Sequence, residues 1–79
     1  MLHAVIRTSE EAFHFISEPN FYNLETLQLH MRGARKDASD VRLQISLDSP
    51  APPQFTRRIR RWLGRLSRLG VAVELRRGS

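Results

Sequence analysis

The chain contains no cysteine, and only one lysine, one tryptophan and one tyrosine among its 79 residues. Without cysteine there is no disulfide, thiolate metal site, iron–sulfur cluster or cysteine nucleophile. The longest apolar runs are a few residues, far short of a membrane-spanning helix. Residues 1–7 lack the basic start and long apolar core of a secretory signal. A soluble cytoplasmic protein is the simplest expectation. The length suits one domain, expected over residues 1–77 with a frayed 78–79 tail.

Charge is present, and it is unevenly spread. Residues 1–50 carry five basic side chains against seven acids, whereas residues 51–79 carry eight arginines against Glu74 alone. The net charge is +5. A basic C-terminal part suits an anionic partner such as nucleic acid, an acidic protein or a membrane surface. Lys36 being the sole lysine also fits arginine-biased coding.

Hydrophobic periodicity gives the expected elements. Leu2–Arg7 alternates as a strand, with Leu2, Ala4 and Ile6 on one face. Thr8 and Glu11 match a capping box, which predicts a short helix carrying Ala12, Phe13 and Ile16 and stopped by Pro19. Leu24–Arg32 alternates again, with Leu27, Leu29 and Met31 inward and Thr26, Gln28, His30 and Arg32 outward. Gly33–Asp40 reads as a hairpin connection to a third strand, Val41–Leu47. A proline-rich linker, 48–53, leads into a helix over 53–69. Its stripe is Phe55, Ile59, Trp62, Leu63, Leu66 and Leu69, and Gly70 caps it. Val71–Leu75 is the last strand.

The order strand–helix–strand–strand–helix–strand predicts a ferredoxin-like βαββαβ domain. Two helices would cover one face of a four-stranded antiparallel sheet.

The basic helix supplies the leading candidate site. Arg57, Arg58, Arg60, Arg61, Arg65 and Arg68 all lie off the apolar stripe. Guanidinium forks at such spacing can meet successive phosphates. Arg57, Arg61, Arg65, Arg68 and Arg58 are the expected polyanion contacts. The alternative is an interaction or regulatory module that self-associates through its sheet face or an edge strand, with Val5, Arg7, Gln28, Arg42 and Gln44 on that face. The face has no aromatic platform for stacking bases. His3, His14 and His30 are scattered, with no carboxylate at ligand spacing, so neither a metal nor a cofactor is expected. Arg7-Thr8-Ser9 resembles an anion cradle, but capping already accounts for Thr8. A basic helix bearing Trp62 also suits a membrane surface, though its apolar stripe is needed for the core. No nucleophile, base or metal set points to catalysis, so the expectation is a binding module, monomeric or a homodimer.

Overall fold

The computed structural model describes residues 1–77 apart from Ser49. The expected 78–79 tail and one position of the proline-rich linker lie outside the described residues. Six elements follow in the order β1 (Leu2–Arg7), β2 (Ala12–Ser17), α1 (Phe21–Asp37), β3 (Arg42–Leu47), α2 (Pro53–Arg68) and β4 (Ala72–Arg77). They build one sheet in the order β2-β1-β3-β4. β1 runs antiparallel to β2 and β3, while β3 and β4 are parallel. The domain is α+β as expected, but the sheet is mixed and the element order is ββαβαβ, not βαββαβ.

Two segments account for the difference. The first is Ala12–Ser17, expected as a helix. Phe13, Phe15 and Ile16 favour a pleated surface, and the segment pairs with β1 from Arg7↔Ala12 to Leu2↔Ser17. Thr8 Oγ1 does accept from the amides of Glu10 and Glu11, at 3.3 and 3.2 Å. The Thr8 amide, however, donates back to the Glu11 carbonyl at 2.9 Å. That closes a hairpin turn. A side-chain oxygen bonding amides two and three residues ahead serves a helix start and a turn equally well.

The second is Leu24–Arg32, expected as a strand. It lies inside the 17-residue α1. Leu24, Leu27 and Met31 are buried at helical spacing, whereas Leu29, which strand alternation would bury, is 61% exposed. Asn20 caps the helix, its Oδ1 accepting from the Asn23 amide at 2.8 Å. Leu27 and Met31 satisfy period 2 and period 3.6 alike, so alternation alone could not separate the two.

The remaining expectations hold closely. β3 begins one residue later than expected, α2 ends one residue earlier, and β4 is displaced to Ala72–Arg77. α2 connects parallel neighbours β3 and β4, which requires a crossover element of its kind. Leu2, Ala4 and Ile6 of β1 join Leu43, Ile45 and Leu47 of β3 under Leu24, Leu27 and Met31 of α1. Phe55, Ile59, Trp62, Leu63 and Leu66 of α2 complete the same core. Both helices therefore cover one sheet face. β1 and β3 are its central strands, and β2 and β4 are its edges.

Candidate polyanion interface

α2 begins with Pro53 at a first-turn position, where a missing amide costs nothing. It ends in a Schellman motif: Val71 N–H donates to the Leu66 carbonyl and Gly70 N–H to that of Ser67, both at 3.0 Å. Gly70 adopts φ +91° to allow this. Val71 and Leu66 are both buried, which anchors the cap in the core. The apolar stripe is buried as expected except Leu69, the C-cap, which is 61% exposed.

That burial turns all six arginines of α2 outward, and all are exposed. The helix contains no acid. The pairs 57–60, 57–61, 58–61, 61–65 and 65–68 set like charges three or four residues apart. At roughly 0.2–0.5 kcal/mol for each, the mutual repulsion is about 1–2.5 kcal/mol at low ionic strength. Arg65 and Arg68 recover part of this in the last turn, where the helix dipole favours cations. Arg58 lies over the Phe21 ring, 4.9 Å from its centroid. No carboxylate lies within ion-pair distance of any of the six among the described residues.

α1 adds to this surface. Phe21 stacks near Phe55 at the helix starts, with centroids 5.9 Å apart, while Arg35 and Leu69 line one groove near the helix ends, so the helices run parallel. Between them a groove of about 210 Å³ is lined by Gln28, Arg32 and Arg35 from α1 and by Trp62, Arg65 and Leu69 from α2. Arg32 and Gln28 were expected on the sheet face; the helical state of α1 moves both to the opposite side of the molecule. Arg35 was expected in a loop. The Leu24-Leu27-Met31 spacing was the signal that could have placed all three.

The open sheet face retains Val5, Arg7, Arg42 and Gln44 of the alternative surface, without Gln28. Side chains tie its centre together. Arg7 Nε donates to Gln44 Oε1 at 3.0 Å, and Gln44 Nε2 donates to Glu74 Oε2 at 3.2 Å. Arg76 closes the chain on the other Glu74 oxygen. The Arg76 hydrogen bond, and then that from Gln44, hold the Glu74 carboxyl below its ordinary range. Val5 is buried despite facing this side. The face is therefore partly self-satisfied, unlike the helical layer.

The histidines are placed differently from expectation. His14 lies on β2, with Nδ1 3.3 Å from His3 Nε2 on β1. His30 lies on α1 against Phe13, centroids 4.8 Å apart. No three potential ligands among His, Cys, Asp and Glu converge among the described residues. No described helix is long and apolar enough to cross a membrane. No protein-family model matches this chain, and neither curated proteins nor solved structures yield a match.

Proposed function

We propose that the protein is a non-enzymatic binding module that engages nucleic acid or another phosphate-rich polyanion through its helical layer. Arg57, Arg61 and Arg68 contact phosphates from the exposed side of α2. Arg58 and Arg65 extend the contact toward α1, where Arg32 and Arg35 meet it. The carrying observation is eight exposed arginines on two adjacent helices, none paired with a carboxylate among the described residues. Phosphates would relieve the repulsion within α2 and release counterions, which drives sequence-independent affinity.

Fluorescence anisotropy of labelled DNA and RNA tests this. The contacts of Arg57, Arg61 and Arg68 alone make affinity for duplex DNA fall roughly 40-fold between about 50 and 200 mM salt, and the further contacts steepen the fall. The Arg57→Gln, Arg61→Gln, Arg68→Gln triple variant should lose most affinity and most of that salt dependence. Absence of binding at low salt, or equal binding by the variant, refutes the reading. Competition by polyglutamate but not by nucleic acid would redirect it to an acidic protein.

A further inference from the structure

β2 is an edge strand of uncommon composition. Ala12-Phe13-His14-Phe15-Ile16-Ser17 has no charge, proline or glycine. Phe13 is 41% and Ile16 63% exposed. Natural edges are usually blunted by charge, proline or a bulge, because their free backbone groups template pairing with another strand. The charges here stand outside the strand, as Glu10 and Glu11 before it and Glu18 after it.

The opposite edge, β4, ends in Arg76 and Arg77. β2 and β4 run in the same direction within one molecule, since β1 is antiparallel to β2 and β3, and β4 is parallel to β3. A second copy placed alongside in the same orientation therefore offers its β4 to β2 as a parallel partner. In register, Ala12–Ser17 lies beside Ala72–Arg77 of the second copy. On the helix-covered side, Phe13 meets Val73 and Phe15 meets Leu75, joining half-exposed apolar side chains on both edges. On the open side, His14 meets Glu74. Ile16 meets Arg76 on that side, and Glu18, two residues on, lies diagonal to the same arginine.

We infer that this protein self-associates head to tail, β2 of one copy adding to β4 of the next to continue the sheet. Charge selects this arrangement over a two-fold β2–β2 pair, which would set Glu10 and Glu11 of each copy against Glu18 of the other. The contact is heterologous, so it propagates or closes into a ring and does not stop at two copies.

Sedimentation velocity over a wide concentration range tests it with Glu18→Arg and Arg76→Glu, both at exposed positions, folding being checked by circular dichroism. Each single variant should weaken association about tenfold by turning attraction into repulsion. An equimolar mixture of the two should restore it, because every mixed contact again pairs opposite charges. A wild-type protein that stays monomeric overturns the inference. So does strengthening by Glu18→Arg with no effect of Arg76→Glu, which is the signature of two-fold pairing. Neither residue belongs to the arginine surface of α2, so the outcome is independent of polyanion binding.

Discussion

Two glycines lie six residues apart at the end of α2 and should respond oppositely to the same added methyl group. Gly64 sits in the helix interior on its exposed side, and a Cβ there would meet nothing within 4 Å. The residue therefore has no packing duty, and alanine should recover the helix-propensity difference, about 1 kcal/mol. Gly70 also has open space where a methyl group would stand, but its φ is +91°. Alanine there fits the space and meets the backbone penalty, about 1–2 kcal/mol. Space is equal at the two sites, so only backbone conformation separates them. In a domain of this size, 1 kcal/mol moves Tm by roughly 4–8 °C. Thermal unfolding followed by circular dichroism should place Gly64→Ala about that far above the wild type. Gly70→Ala should fall by a similar or larger interval. A destabilising Gly64→Ala would mean that the outer side of α2 is closely covered, and a neutral Gly70→Ala would mean that the helix does not end in the Schellman turn.

Other perturbations follow from the same structure. Thr56 is buried on α2 and its hydroxyl has no partner among the described residues, so Thr56→Val should stabilise by about 1 kcal/mol in urea denaturation. Leu27 is fully buried at the centre of α1. Leu27→Ala should cost about 2–5 kcal/mol and leave much of so small a domain unfolded, whereas Leu29→Ala should change stability by less than about 0.5 kcal/mol. A strand over these residues would instead make both leucines costly. The Glu74 carboxyl is lowered by Arg76 and Gln44. Its contribution to stability is therefore full above the unfolded value of 4.5 and is lost as pH falls through the lower folded value. Glu74→Gln should flatten that acid limb of a stability–pH curve.

The parts of the fold that could be read from the residues are those where one period fits and the other does not. Val41, Leu43, Ile45 and Leu47 alternate with polar residues and have no helical reading; the last three are buried in β3, and Val41 is buried just before it. The stripe of α2 follows a helical arc only, and its start and stop carry proline and glycine at the positions that suit them. α1 failed because Leu27 and Met31 fit both periods, with Leu29 completing the alternation and Leu24 the helical set; Asn20 as a cap was the tie-breaker. β2 failed because Thr8 and Glu11 satisfy a local pattern shared by helix starts and turns, and only pairing with β1 decides between them. These are tertiary decisions, reached through partners distant in sequence.

The misplacement of α1 also hid half of the candidate interface. On a strand, Arg32 would project from the sheet face, remote from α2. On the helix, it joins Arg35 and Arg65 around one groove. The charge contrast between the two halves of the chain thus becomes a contrast between two sides of the molecule. The arginines of α1 and α2 gather on the helical layer, while Arg7 and Arg76 on the open sheet face are engaged by Gln44 and Glu74. The open face is thus partly tied up by its own side chains, Arg7 by a neutral amide and Arg76 by a carboxylate, while the arginines of the helical layer have no carboxylate partner among the described residues. That segregation, more than the number of arginines, makes an anionic partner for the helical layer the economical reading, and Arg32→Gln with Arg35→Gln is its sharpest probe. If the layer acts as one surface, the α1 pair should reduce nucleic-acid affinity and salt dependence alongside the α2 set, by about two phosphate contacts. If α2 acts alone, the α1 pair should leave both unchanged.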